Sequence, residues 1–366
     1  MEMICVEECC EILDSMRIPI TATERKAGKY PYYGANGIQD YVSDYIFDDE
    51  LVLLAEDGGN FGSKERPIAY RVSGKCWVNN HAHVLKPKKE MNVDYLCYSL
   101  MFYNVEGIIN GATRQKLTQS AMRKMKIPIR GMEEQLKIVE KLNKIISIKE
   151  KRKQELQYLD ECVNARFVEM FGDPVSNSYG LPEATLPELG EFGRGVSKHR
   201  PRNDPQLLGG KYPLIQTGDI ANADLFISAY TSTYSEMGLK QSKMWSKGTL
   251  CITIAANIAK TAILEFDACF PDSVVGFNAN EKTNNIFIHY WFSFFQAILE
   301  AQAPESAQKN INVKILSELK IILPDKGKQD EFVEFIKQID KSKVAVQKAL
   351  DEAQLLFDSL MQEYFG

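Results

Sequence analysis

At 366 residues, 45% hydrophobic and 25% charged, the chain has the profile of a folded protein with room for two ordinary domains. It lacks any run of about 18 apolar residues, which excludes a transmembrane helix, and its acidic opening MEMICVEECCEILD has neither the basic flank nor the apolar centre of a signal peptide. A cytoplasmic location is expected, and the net charge of −5 argues against a stand-alone binder of nucleic acid, since those are usually basic.

Eight cysteines are scattered along the chain with no CxxC pair and no zinc spacing. Reduced, mostly buried thiols are expected, with no metal and no cofactor. Residues 28–38, GKYPYYGANGI, carry three tyrosines, Tyr30, Tyr32 and Tyr33, whose rings could stack on nucleic-acid bases but whose default role is core packing. The run YIFDDELVLLAEDGGNFG (45–62) reads as strand, turn, strand and Gly-rich loop, and AYRVSGKCWV (69–78) as a hairpin turning through Ser73 and Gly74. In VNNHAHVL, His81 and His83 share one side of a strand; with no third ligand apparent, a structural pair is expected. A short apolar helix follows at 95–103.

From about 133 to 170 no Pro or Gly interrupts the chain. Ile138, Leu142, Ile145, Lys149, Arg152, Leu156, Leu159, Val163, Arg166 and Met170 alternate by four and three, the seam of a coiled coil. Gly172 stops the helix, and 173–182 has the turn chemistry of a linker. The second half repeats this grammar. GTLCITIAANIAKTAILEF (248–266) reads as strands and IHYWFSFFQAILEAQ (288–302) as an apolar segment, and from 328 to 365 a second uninterrupted helix is expected. Its seam is Phe332, Ile336, Ile339, Lys343, Val346, Leu350, Ala353, Phe357, Leu360 and Tyr364, the first seam plus 194. The repetition is literal in places: GKYPYYGANGI matches GKYPLIQTGDI (210–220) at five of eleven positions, Gln135 aligns with Gln329, and EMFG (169–172) with EYFG (363–366). Lys149 and Lys343 occupy the same seam slot, where lysine fixes register or snorkels to solvent.

The fold class expected is α+β: two mixed α/β domains separated by two long helices that pack as an antiparallel coiled coil, with a pseudo-twofold internal repeat. Such a rod would hold the two domains a set distance apart, and duplex DNA is a natural thing to measure, with half-sites about 34 Å apart on one face. Candidate contacts are Asn60, Lys64 and Arg66 around the glycine loop, Arg114, Gln115 and Lys116 before the first helix, Lys198, His199, Arg200 and Arg202 in GVSKHRPRND, and Gln308, Lys309 and Asn310 at nearly the place of Arg114–Lys116 in the second half. Arg, Gln and Asn can read base edges, whereas Lys mostly meets phosphate. Any one such cluster is by default a solvated surface; the recurring Gln-Lys pair is the exception.

The ordered set of GKYP…I twice, NNHAHVL, FPDSVVGF (270–277), QKLTQSAMRKMKIPI, QKNINVKILSELKIILP and RFVEMFGDP (166–174) resembles the specificity subunits of type I restriction–modification systems, over nearly the whole chain. The resemblance implies target-recognition domains at 1–125 and 183–318, helical regions at 126–172 and 319–366, and a linker at 173–182. It implies a non-catalytic reader of a bipartite, asymmetric site in double-stranded DNA. It also implies two adenine-N6 methyltransferase subunits as partners and, in the full complex, restriction/translocase subunits. The acidic charge is then tolerable, because partners would supply much of the phosphate clamp. Two rivals stand beside it. An enzyme is disfavoured, since GxxxxGK[ST], NPPY or DPPY, and a PD…ExK set are all missing. A coiled-coil scaffold with two protein-binding domains remains open, and a neighbouring gene with an adenine-methyltransferase motif would decide against it.

Overall fold

A computed structural model describes residues 2–111, 115–255, 258–302 and 313–366, the side chains of 297–302 excepted. The chain divides into two compact units, Met1–Gln154 with Gln347–Gly366, and Glu155–Val346. In chain order the first unit holds β1 (Met3–Cys5), α1 (Val6–Cys9), β2 (Cys10–Ile12), β3 (Ala27–Gly34), β4 (Gly37–Val42), β5 (Phe47–Ala55), β6 (Ala69–Val78), β7 (Ala82–Pro87), α2 (Val93–Met101), α3 (Gln119–Arg123) and β8 (Lys126–Pro128). Then comes α4 (Met132–Phe171), which runs on into the second unit. The second unit continues with β9 (Glu183–Ala184), α5 (Leu186–Leu189), β10 (Gly190–Arg194), β11 (Leu208–Leu214), α6 (Thr217–Ala221), β12 (Phe226–Ile227), β13 (Ser232–Tyr234), α7 (Glu236–Lys240), β14 (Met244–Trp245), β15 (Leu250–Thr253), β16 (Thr261–Leu264), β17 (Ala268–Cys269), β18 (Val274–Ala279), α8 (Asn285–Gln302), α9 (Val313–Glu318) and β19 (Ile321–Ile322). Finally α10 (Lys326–Phe365) returns to the first unit.

Among the described residues the first unit has a six-stranded sheet, β2-β7-β5-β6-β3-β4, antiparallel except for β3 with β6. The second has a five-stranded sheet, β10-β18-β15-β16-β12, and a four-stranded one, β13-β11-β17-β14. The fold is mixed α+β, as expected. The repeat extends beyond the sequence matches: β1 pairs with β8 in one unit and β9 with β19 in the other, each followed by a one-turn helix and an edge strand.

Two expectations fail. Residues 69–78 form one continuous strand, not a hairpin, because β5 pairs with it from Phe47↔Cys76 to Leu54↔Ala69. Gly74 takes its positive φ of 74° inside that ladder, opposite Asp49. For the same reason the turn expected within 45–55 is absent: β5 is unbroken, and a ladder of eight residue pairs outweighs the local turn preference of Asp48 and Asp49.

Both long helices have 40 residues, about 60 Å each at 1.5 Å per residue. Gly172, at φ 76°, caps α4 in the left-handed region and donates to Val168 O. In the first unit Ile138, Leu142 and Ile145 of α4 share a core with Phe357, Leu360, Ala353 and Tyr364 of α10. In the second, Leu159 and Val163 of α4 share a core with Phe332, Ile336 and Ile339 of α10. Lys149, Leu156, Lys343 and Leu350 are half-buried. The buried stripe leaves the strict four-three series at the end of α4, where Phe167 and Phe171 are fully buried and Arg166 and Met170 only half so. A 3.6-residue helix drifts off a 3.5-residue repeat, and here the last turns pack on Phe287 and Phe332.

The same glutamine anchors each long helix to its unit. Gln135, with no exposed surface, accepts from Asn92 N (2.8 Å) and donates to Glu90 O (3.0 Å) and Arg130 O (2.8 Å). Gln329, equally buried, accepts from Thr283 Oγ1 (2.9 Å) and donates to Lys282 O (3.1 Å) and Pro324 O (2.9 Å). All eight cysteines are free thiols; six are buried, Cys5 is half-buried and Cys162 is exposed.

Candidate nucleic-acid interface

In the first unit the end of β5 feeds the loop Glu56–Arg66. The backbone of Asp57 bridges that of Lys116, and Leu117 N donates to Glu56 O at 2.7 Å. This pairing joins two stretches that are far apart in sequence, so Asn60, Lys64 and Arg66 share a loop region with Gln115 and Lys116. Lys64, Arg66, Gln115 and Lys116 are exposed and Asn60 is half-buried. Ser63 Oγ accepts from Arg66 N at 2.9 Å and fixes the loop's exit. Arg114, Gln308, Lys309 and Asn310 lie outside the described residues.

A charged network lies beneath that loop. Lys116 Nζ meets Glu56 Oε1 at 2.9 Å, and Arg17 Nη1 meets Glu56 Oε2 at 2.6 Å. The fully buried His83 places Nδ1 2.6 Å from Asp14 Oδ2 and Nε2 2.9 Å from Leu117 O, while Gln119 Nε2 donates to Asp14 Oδ2 at 2.9 Å. Burial pushes the Asp14 and Glu56 carboxyls up, but their bonds outweigh it: His83, Val84 N and Gln119 hold Asp14 low, and Arg17 and Lys116 hold Glu56 low. Asp14, Glu56 and His83 bring donor atoms within 4.8 Å of one another, a set that suits a metal. The Arg17 guanidinium already faces both carboxylates, however, and supplies the cationic partner there. His81 turns elsewhere, its Nδ1 2.6 Å from Asp57 Oδ1, so the two histidines serve different carboxylates and form no pair.

Three stretches singled out in the sequence converge beside this loop on a cavity of about 500 Å³. Its walls include Tyr32, Asn36, Asp57, Asn79 and His81. Tyr32 is buried under the Arg25 guanidinium, 4.2 Å from the ring centroid, which fits the packing role expected for it. Tyr30 pairs with Tyr45 and Tyr33 with Tyr70.

In the second unit the run Lys198–Arg202 is exposed but mostly committed to acidic partners. His199 Nε2 lies 3.1 Å from Asp204 Oδ2, Arg200 Nη2 lies 3.3 Å from Asp272 Oδ2, and Arg202 pairs with the same Asp272 carboxylate. Arg194 donates to the Asp272 carbonyl. Lys198 donates its backbone N–H to Gln241 O. Pro271-Asp272, a PD pair with no ExK placed to complete a nuclease set, is thus an arginine anchor. The glycine of FPDSVVGF also acquires a reason: a Cβ on Gly276 would lie 2.6 Å from the Trp245 ring, which stacks on Phe270. Sequence reasoning passed over Asp14 and Glu56, and Asp272 as an ion-pair partner, since an isolated acid gives no sign of its distant partner. It also passed over Asn36 and Gln39, although Asn36-Gly37 is a hairpin signal that ends β3 and begins β4.

The family model for the type I restriction modification DNA specificity domain matches residues 1–158 and 183–353. A protein of Haemophilus influenzae, named as a type I restriction enzyme specificity subunit, is 26% identical over 340 residues, covering 92% of this chain and 86% of that protein. The MjaX specificity subunit of Methanocaldococcus jannaschii is 21% identical over 286 residues, covering 73% and 67%. The crystal structure of a type I restriction–modification S subunit from M. genitalium superposes with a TM-score of 0.60 at 14% identity, over 100% of this chain and 96% of that one. At that identity the likeness shows the fold alone.

Proposed function

This chain belongs to the type I restriction–modification DNA specificity family, and on that premise we propose that it reads a bipartite, asymmetric site in double-stranded DNA and brings an adenine-N6 methyltransferase to it. Residues 1–125 and 183–318 act as the two target-recognition domains, each reading one half-site. The helical regions 126–172 and 319–366, joined to the second domain through the linker 173–182, pack as an antiparallel coiled coil that sets the gap between the half-sites. Two methyltransferase subunits and, in the full complex, restriction/translocase subunits dock on this frame. The chain has no chemistry of its own and works in the cytoplasm.

One observation carries the reading: the two halves repeat the same frame around different interiors. Gln135 and Gln329 fix both long helices by equivalent bonds, whereas GKYP leads into a hairpin in one unit and into α6 in the other. A duplicated frame with unlike heads is what reading two different half-sites requires. The first head contributes Asn60, Lys64, Arg66, Gln115 and Lys116, with Arg114, and the second contributes Lys198, His199, Arg200 and Arg202, with Gln308, Lys309 and Asn310. The ion pairs of Arg200 and Arg202 with Asp272 then hold two guanidinium forks in place for DNA rather than leaving them loose.

Methylome sequencing of cells with and without the gene tests this: one bipartite adenine-methylated motif disappears on deletion. Replacing residues 183–318 by those of a relative changes one half of the motif and leaves the other. If deletion alters no methylation, the assignment fails.

A further inference from the structure

The cavity of the first unit has hydrogen-bonding roles fixed by the backbone. His81 N–H donates to Asn79 Oδ1 at 2.8 Å, so the Asn79 amide must present its Nδ2 on the other side. That group donates to Gln39 Oε1 at 3.1 Å, which leaves Gln39 Nε2 as a donor. Asn79 is 3% exposed and cannot turn over without stranding the His81 N–H. Asn36, which also lines the cavity, donates its Nδ2 to Gly58 O at 2.9 Å, which leaves Asn36 Oδ1 as an acceptor. Gln39 Nε2 and Asn36 Oδ1 have no hydrogen-bond partner among the described residues, and both side chains are exposed at the cavity. These two carboxamides therefore offer one donor and one acceptor, pre-set.

That pairing selects among base edges. In the major groove adenine presents the N7 acceptor and the N6 donor, and each meets its complement here. Guanine presents two acceptors, and its O6 would face Asn36 Oδ1; cytosine offers only a donor, and thymine places a methyl group beside its O4. A phosphate is disfavoured, because the Asp57 carboxylate forms part of the wall and the Arg25 guanidinium there is taken up by Asp40 and the Tyr32 ring. We infer that Gln39 and Asn36 are the specificity-determining residues for an adenine in the half-site read by the first domain, with Gln39 donating to N7 and Asn36 accepting from N6. This rests on the half-site reading proposed above, and it assigns to two carboxamides a role that none of the basic clusters supplies.

The test begins with methylome sequencing, which defines the motif, and with the 183–318 exchange, which shows the half that belongs to the first domain. Each adenine of that half is then replaced in turn by 7-deazaadenine, which lacks the N7 acceptor, in a duplex bound by the full chain with its copurifying methyltransferase. At one position the replacement weakens binding by about 3- to 10-fold, the loss of one hydrogen bond. Gln39→Leu weakens binding to the unmodified duplex by a similar factor and makes the 7-deaza replacement at that position silent. Gln39→Leu also leaves the buried Asn79 Nδ2 without its acceptor and so lowers stability; binding is therefore compared at a temperature where both proteins are fully folded by circular dichroism. Wild-type affinity in Gln39→Leu, or 7-deaza losses that persist in it at every position, would overturn the assignment alone. A domain exchange that leaves both half-motifs unaltered would bring down the half-site reading, and this inference with it.

Discussion

Replacing Gln135 or Gln329 with methionine keeps the length and apolar stem of the side chain and removes three hydrogen bonds in each case. At about 1 kcal/mol net per bond the direct loss is about 3 kcal/mol. Both sites are sealed from solvent, so partner groups are left unpaired, and the total rises to about 3–5 kcal/mol. Against a typical domain stability of about 5–15 kcal/mol this is a severe lesion, and it is local. Hydrogen–deuterium exchange read by peptide should show Gln135→Met deprotecting 90–101 and 126–146 but not 282–292, with Gln329→Met doing the reverse. Gln135→Glu should be worse than Met, since it aims a carboxylate oxygen at the carbonyls of Glu90 and Arg130. A loss below about 1 kcal/mol at both sites, or deprotection of the opposite unit, would show that the repeated glutamine does not anchor the helices.

Burial pushes the His289 imidazole down to about 4 from an ordinary 6.5, with the Lys343 charge adding to the effect. The unfolded chain then binds the proton first, so His289's contribution is fully present above pH 6.5 and is lost as pH falls from 6.5 toward 4. Urea titrations should show a fall of about 3 kcal/mol over that window, shallower in His289→Gln; equal slopes would refute it. Burial also holds the Lys149 ammonium below the usual lysine range, with Nζ 4.8 Å from the Phe357 ring centroid. Lys149→Leu should raise the melting temperature by about 2–4 °C, the equivalent of about 1 kcal/mol. Lys343→Leu should do little, because Asp160 and Asp224 are exposed and stay hydrated; a drop in melting temperature for Lys149→Leu would mean that the lysine supports the packing. Gly276→Val drives a side chain into the Trp245 ring and should cost about 1–3 kcal/mol, seen as quenching or a shift of tryptophan fluorescence; an unchanged spectrum and midpoint would contradict the packing described.

The long helices, their seam, the duplicated glutamine and the α+β class are written in local periodicity and repetition, which need no knowledge of the far side of the molecule. Ile138, Leu142, Ile145, Phe332 and Ile336 are buried as their spacing requires. What tertiary structure alone decided is partnership. Whether Gly74 turns the chain or rides inside a ladder depends on β5, some twenty residues earlier. Whether Phe167 or Arg166 faces inward depends on the aromatic floor built by Phe287 and Phe332. Asp272 gathers Arg194, Arg200 and Arg202 across more than sixty residues. The roles of Gln39 and Asn36 follow from His81 N–H and Gly58 C=O, two backbone groups that no pattern of side chains announces. A carboxamide can donate or accept equally well; only the group it meets in the folded chain settles which.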